Sequence, residues 1–554
     1  MNVKNVFAST IYQGGTVITL DNKDSIAEAV ALDGESILFV GNTAGCSEFI
    51  GPDTEVIDLG GKTMLPGFYD PHSHFSLYAS FSRAIDLRPT KKNPFRSVEA
   101  CQKALRAALS THVVDGWLIG WNFDMSVFEH DPYPLTRDDL DAVSSDVGII
   151  VYHQSLHSCM ANSKALEDLG IDKNSKDPVG GQIGRYENTT VPNGILYAAC
   201  MHQTLAHLSA VLANTPEGFA RATQWYASKG VTTANDGATR GLDKFMSIIL
   251  DAEEQGLLAT RVVIHPGMND RSGLSVEDFV QKIMKLKHKT EKESGLVRIG
   301  GAKLLFDGSI QLGTAYMSQP YHNNPDNCGF TYETQEALVE MVTSIHKAGH
   351  QVLTHCNGDA AITGVIDVYK AAWETENRSD MRHALIHAQT ITDCDLQRVA
   401  ELSEVNVVIS FFPPHIYYLG DSHASSFIGP ARAARMNPIA SAIKLGIPYT
   451  THDDAPIFDI DPLMTIWSAV NRMTKSGQIL GADERISVLD AIKGVTINAA
   501  YQHHEDKITG SIEAGKRADL VILNDNPLAC DKLHIKDIDV LETIMGGKTT
   551  YILK

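Results

Sequence analysis

The chain has 554 residues, 43% of them apolar and 21% charged, with a formal net charge of −20. That length exceeds what one small core needs, and the composition is that of an ordinary globular protein. The acidic balance argues against nucleic acid or an anionic membrane as the main partner.

The first stretch, TVITLDNKDSIAEAVALDGESILFVG, shows short β-rich runs broken at Asp21-Asn22 and Asp33-Gly34. The N-terminal MNVKNVFASTIYQGG lacks the apolar core of a signal peptide. Apolar runs such as VGIIVY are far too short to span a bilayer. Eight cysteines with no CxxC pair suit reduced thiols, so a cytoplasmic location is expected. Histidine and carboxylate are then left as the ligands for any metal.

LPGFYDPHSHF, Leu65 to Phe75, places His72 and His74 two apart, just past an apolar run. Alternate side chains of a strand share a face, so the two imidazoles project together if the strand reaches them. Converging imidazoles suit a divalent first-row metal; two surface histidines in a loop are the plainer alternative. From about 84 to 200 the pattern is hard to follow: NPFRSVEACQKALRAALS looks helical and DKNSKDPVGGQIGRYENTTVPNG is turn-rich. Beyond it, apolar runs alternate with VEDFVQKIMKLKHKT, ALVEMVTSIHKAGH and CDLQRVAEL, which read as helices. Strand and helix in alternation predict βα units around a parallel sheet, and about 440 residues of this texture suggest a barrel of the usual ~250 residues enlarged by insertions.

Several of the later strand candidates end in residues able to bind metal or move protons. VRIGGAKLLFDGS carries Lys303 and then Asp307; GHQVLTHCNGDAA reaches His355; RHALIHAQT reaches His387; GIPYTTHDDAP reaches His452, Asp453 and Asp454. A lone histidine after a strand is more often a rim or core residue. Several such ends in one chain predict a metal site at the C-terminal face of a barrel. The C-terminal GSIEAGKRADLVILNDNPL returns to short β-rich runs. No GxGxxG after a strand and no P-loop points to a nucleotide cofactor.

The ordered set DPHSHF, AKLLFDGSIQLGTA, THCNGDAA, IHAQ, HDDAP and GSIEAGKRADLVIL resembles the amidohydrolase superfamily. It most resembles the YtcJ-like amidohydrolase-3 group, which includes N-substituted formamide deformylases. The resemblance implies an α/β fold: a (β/α)8 TIM-like barrel over residues 63–504, with an insertion at about 84–200. A small β-sandwich formed by residues 1–62 and 505–554 completes it. It implies His72 and His74 as first-strand metal ligands and His355 and His387 as ligands after the fifth and sixth strands. Asp454 becomes the eighth-strand aspartate, which binds metal and shuttles protons. Lys303 falls where related enzymes carry a carboxylated lysine bridging two metals; a salt bridge to Asp307 or an interior partner is the alternative. The cation expected is zinc, one or two per chain, with manganese, iron or cobalt as alternatives.

Two departures stand out. Asp453 occupies a position that is usually small and polar, and adjacent strand residues face opposite sides, so one of Asp453 and Asp454 faces the metal. In NGILYAAC, Ala198 stands where relatives have glutamate. His157, Asp307, His415 and Asp453 are the candidates for substrate contact. Asn162 reads as a helix N-cap before KALEDL. The aromatics Phe411, Phe412, Tyr417 and Tyr418 either wall a pocket or fill the core.

The expected function is hydrolysis of a non-peptide C–N bond in a small molecule, such as the linear amide of an N-substituted formamide. The chemistry expected is metal-activated hydroxide with Asp454 as proton shuttle. A cyclic-amide hydrolase, a deaminase and a non-catalytic binding protein of the same descent are the alternatives, and relatives suggest a homodimer.

Overall fold

Both ends of the chain enter one eight-stranded sheet. The computed structural model describes residues 7–88, 97–123, 135–153, 158–178, 181–208, 211–212, 214–269, 271 and 273–554. The sheet order is Lys548–Ile552, Val540–Met545, Leu520–Leu523, Thr63–Pro66, Thr10–Ile18, Ile26–Asp33, Ser36–Gly41, with Glu55–Asp58 also paired to Thr10–Ile18. Tyr12, Val17, Val30, Leu32 and Ile37 from the chain's beginning pack with Ile512, Leu520, Ile522 and Ile544 from its end. Each such aliphatic side chain contributes ~1.5–3 kcal/mol when fully buried, so this cluster holds the termini together.

The sheet belongs to the first of two compact units, formed by the chain up to Phe75, Ala222–Ala455 and Asp459–Lys554. The rest of that unit is built on parallel strands. Strands β1 (Phe68–Tyr69), β2 (Val231–Thr239), β3 (Arg261–Pro266) and β4 (Val297–Ile299) pair in sequence order. Strands β5 (Ala302–Leu305), β6 (Val352–Cys356), β7 (Ala384–His387), β8 (Val408–Phe411) and β9 (Tyr449–Thr451) do the same. Gly300 and Gly301 alone separate β4 from β5. A Cβ on Gly300 would lie 2.4 Å from His265 Cε1, and one on Gly301 2.5 Å from Leu353 Cδ1, so only glycine allows this close approach. A parallel bridge between Gly267 and Lys303 then joins β5 to the segment that follows β3.

Helices lie between these strands. Val276–Glu293, Gln335–Lys347 and Asp393–Glu401 cover the three stretches predicted to be helical. Each starts at a side-chain cap: Ser275, Thr334 and Thr392 accept the backbone N–H three residues on. Val276, Phe279, Val280 and Ile283 recur at helical spacing and are buried.

The second unit is Ser76–Arg221 with Pro456–Phe458. Its six-stranded sheet explains why the sequence pattern is hard to follow there. Ile85–Asp86, Trp117–Phe123 and Gly148–His153 are parallel, whereas Ser158–Ala161, Pro192–Ala198 and Gly181–Arg185 continue the sheet antiparallel. The helix Val98–Ala108 buries Val98, Cys101, Leu105 and Ala108 in the core of this unit. Among the described residues, no helix is long and apolar enough to cross a membrane.

Behind β6 and β7 lies a histidine chain whose tautomers are fixed by its partners. Val352 N–H donates to His383 Nδ1 (3.0 Å). His383 Nε2 therefore carries the proton and donates to His346 Nδ1 (2.9 Å), and His346 Nε2–H donates to the Glu376 carbonyl (2.7 Å). Burial, then the neighbouring His346, holds His383 well below the usual histidine range, and burial takes His350 down to about 3. The unfolded chain takes up protons on these residues below ~6.5 while the folded chain does not. Stability is therefore full above that pH and declines as pH falls. Unfolding free energy in urea is expected to drop between about pH 7 and about pH 5, and His383→Gln to flatten that slope by up to ~1.4 kcal/mol per pH unit. An unchanged slope in the variant would remove His383 from the groups responsible.

Candidate metal centre

The paired histidines sit beyond β1, in a turn rather than in the strand. Asp70 shapes that turn: its Oδ1 accepts His72 N–H (3.2 Å), and its Oδ2 accepts the Ser73 hydroxyl and Asn235 N–H (3.1 Å) of β2. Burial, outweighing these hydrogen bonds, raises Asp70 to about 7. His74 N–H donates to the Ala455 carbonyl (2.6 Å), and its Nδ1 lies 2.7 Å from the Gly237 carbonyl. That contact puts the proton of a neutral His74 on Nδ1 and leaves Nε2 with its lone pair. Gly237 is glycine for a steric reason, because a Cβ there would meet His72 Cε1 at 2.5 Å.

Asp454 is the point on which the site converges. Its Oδ1 lies 3.3 Å from His72 Nε2 and 3.4 Å from His74 Nε2. His72, His387 and Asp454 each offer a ligand atom within 4.8 Å of the others, the one such group of three among the described residues. His355 stands beside His387 with ring centroids 4.6 Å apart. Lys303, 1% exposed, points into the same cluster with Nζ 3.0 Å from His72 Nε2.

The protonation states are those of a donor set. Burial, and next Lys303, holds His72 well below the usual histidine range; burial, and next His355, does so for His387. Both are neutral and carry lone pairs. Burial pushes Asp454 up, but His74, His452 and Lys303 outweigh it and hold the carboxyl below its usual range. Burial lowers Lys303 to about 8. His72 Nδ1, His387 Nδ1 and Asp454 Oδ1 are buried polar atoms with no hydrogen-bond partner. Neutral imidazoles and an anionic carboxylate in this arrangement fit a divalent cation.

Asp453 is separated from Asp454 by the backbone. After β9 the chain turns through a left-handed residue, Asp454 (φ 57°). Asp453 Oδ2 accepts Asp461 N–H (2.8 Å), and burial together with Asp70 raises its pKa well above the carboxylate range. Asp307 is buried and occupied with backbone: Oδ1 accepts Asn357 N–H (2.9 Å), and Oδ2 accepts Gly358 N–H (2.8 Å) and Tyr316 N–H (2.9 Å). Its Oδ1 also lies 3.3 Å from His355 Nδ1. The carboxylate thus lies beside His355 without a hydrogen bond to it and does not pair with Lys303. His415 packs at a tilt against Phe412 (4.2 Å), whose ring lies 5.6 Å from His387. Tyr417 packs against Tyr418 and Trp467. Asn162 caps its helix, accepting Ala165 N–H (2.8 Å). His157 lies outside the described residues, as does the side chain of Ala198.

Sequence reasoning named His452 among the strand-end residues without making it a ligand, and gave no role to Asp70. His452 closes an apolar run as the other strand-end residues do; Asp70 leaves no such mark.

Neutral imidazoles around one carboxylate, at the ends of parallel strands in an α/β fold, define a metal-dependent hydrolase of the amidohydrolase type. Residues 55–551 match the amidohydrolase family, and the chain belongs to it. It is 29% identical to the LONG AFTER FAR-RED 3 protein of Arabidopsis thaliana, over 99% of this chain and 92% of that one. It is 27% identical to an N-substituted formamide deformylase of Arthrobacter pascens, over 97% of each chain. A solved structure of an uncharacterized metal-dependent hydrolase from Pyrococcus horikoshii has the same fold, with a TM-score of 0.73 and 22% identity over 95% of this chain and 99% of that one.

Asp307→Asn keeps the shape of the side chain but turns an NH2 toward a backbone N–H. The variant is expected to lose ~1–3 kcal/mol of stability in urea unfolding. A variant as stable as the parent would show that the clamp on residues 316, 357 and 358 is dispensable.

Proposed function

We propose that this protein hydrolyses a linear amide of a small molecule outside peptide chains, in the class of the N-substituted formamides. The observation that carries the reading is the convergence of His72, His387 and Asp454 in metal-binding protonation states. The full-length similarity to a formamide deformylase supports the substrate class.

In this reading β1 to β9 form one (β/α)8 barrel in which β4 and β5 are halves of the fourth strand. The bridge from Gly267 to Lys303 and the His74–Ala455 hydrogen bond support its continuity. The barrel covers residues 63–504 with its insertion at about 84–200, and the β domain is formed by residues 1–62 and 505–554. His72, His74, His355, His387 and Asp454 hold zinc, one or two ions per chain. A carboxylated Lys303 would add an anionic oxygen donor to this set.

A divalent cation held there lowers the pKa of water from about 15.7 toward 7 and polarises a carbonyl oxygen. Asp454, kept anionic by its neighbours, accepts the proton of the attacking water. The water oxygen bonds to the amide carbon, the C–N bond breaks, and Asp454 returns the proton to the leaving nitrogen. A formamide yields formate and an amine. The Gly237 carbonyl fixes the tautomer of His74, so that ring does not have to reorganise during the reaction.

Formate release from a panel of N-alkyl and N-aryl formamides tests the substrate class. Removal of metal by a chelator is expected to abolish release, and zinc to restore it. Asp454→Asn is expected to lower kcat by ~10²–10⁴-fold with the fold retained. Activity that survives complete metal removal would overturn the mechanism; a metal-loaded protein inert to every formamide but active on another amide would overturn the substrate class.

A further inference from the structure

His452 has no role in the mechanism above, yet its surroundings are those of a ligand. It is 2% exposed, and among the described residues the Ser410 backbone is the one polar group in hydrogen-bond range of the ring. Its ring centroid lies 5.2 Å from that of His72 and 5.0 Å from that of His387, and it is two residues from Asp454. It therefore borders every member of the converging group.

Its placement is also fixed. His452 N–H donates to the Phe411 carbonyl (3.0 Å), and the ring stacks on Phe412 at 4.7 Å and 26°. Phe412 N–H is in turn held by Asn437 Oδ1 (3.0 Å). A neutral imidazole has one donor and one acceptor nitrogen; a backbone carbonyl serves only the donor, and burying the acceptor nitrogen without a partner is unfavourable. An aliphatic side chain would fill the same space without that penalty, so packing alone does not account for a histidine here.

We propose that His452 is a further donor to the cation, adding an imidazole nitrogen to His72, His387 and Asp454. The inference rests on the reading that this group holds a cation. It makes the segment just after β9 contribute two ligands, one on each side of Asp453, and gives the site a full protein donor set without modification of Lys303.

Cobalt(II) tests it, because its visible ligand-field bands report the donors directly. Wild type, His452→Leu, His452→Gln and His350→Ala are loaded with cobalt(II), and metal per chain, affinity and spectrum are read together. His350 is a buried imidazole away from the centre, so its variant controls for the loss of a core histidine. Near-UV circular dichroism checks folding, and His452→Gln, with an amide oxygen as donor, covers the case in which His452→Leu does not fold. His452→Leu is expected to bind cobalt more than ~10-fold more weakly and with displaced bands. His452→Gln is expected to recover part of the affinity with a different spectrum, and His350→Ala to match the wild type. Wild-type bands and affinity in both His452 variants would overturn the proposal, as would weaker binding with unchanged bands, which marks an indirect contact. Wild-type protein that binds no cobalt would overturn the metal centre itself.

Discussion

Everything at this site depends on keeping one buried carboxylate charged. Desolvation alone would protonate Asp454. What prevents it is the surrounding nitrogen: His74, His452 and Lys303 together outweigh burial. The same burial acts oppositely on the histidines. It strips His72 and His387 of their protons and leaves them as lone-pair donors. One low-dielectric environment thus yields an anion and a set of neutral bases, because its neighbours stabilise only the carboxylate in its charged form.

Such convergence needs backbone bent out of regular structure. Ala238 (φ 61°), His387 (φ 75°), Ala388 (φ 42°) and Asp454 (φ 57°) lie in the left-handed region, all at or just beyond the ends of parallel strands. Each carries roughly 1–3 kcal/mol of strain that the surroundings must hold in place. Arg472 supplies part of that restraint. It is fully buried and donates to the carbonyls of Leu480 (2.7 Å), Asn437 (2.9 Å) and Met436 (2.7 Å). Asn437 then fixes both neighbours of the site, accepting Phe412 N–H with its side chain and donating its own N–H to the Gln389 carbonyl. A buried cation outside the converging group thus reaches, through Asn437, the backbone at Gln389, two residues from His387.

The legible part of this arrangement was the part written as strand ends. Apolar runs closing on His355, His387 and the HDDAP segment mark where side chains leave a parallel strand, and the structure brings those segments together. The choice between Asp453 and Asp454 was not legible, because alternation holds only in extended backbone and Asp454 is left-handed. The paired histidines meet through the Asp70 turn and not through strand alternation, a contact that depends on β2, more than a hundred residues away. The segment from 84 to 200 defeated pattern reading because its sheet changes from parallel to antiparallel partway. Asp307 carried the mark of a site residue, yet its oxygens serve backbone N–H groups. Sequence shows that a carboxylate is near a site; only the fold shows what it accepts.

Lys303 adds a constraint on how the centre is loaded. Its Nζ lies 3.0 Å from His72 Nε2, the same nitrogen that faces Asp454. An imidazole nitrogen has one lone pair, so a lysine proton and a cation compete for it. A protonated Lys303 is also a positive charge beside the place a divalent cation would take, in a region that screens charge poorly. Loading therefore requires the lysine to give up its proton, move, or change chemically. Burial already works toward the first of these, lowering the ammonium to about 8. Carboxylation would achieve the third, turning a competitor for His72 into an anionic donor. The lysine in the middle of β5 is thus the residue whose state decides how many positive charges the carboxylate of Asp454 can hold.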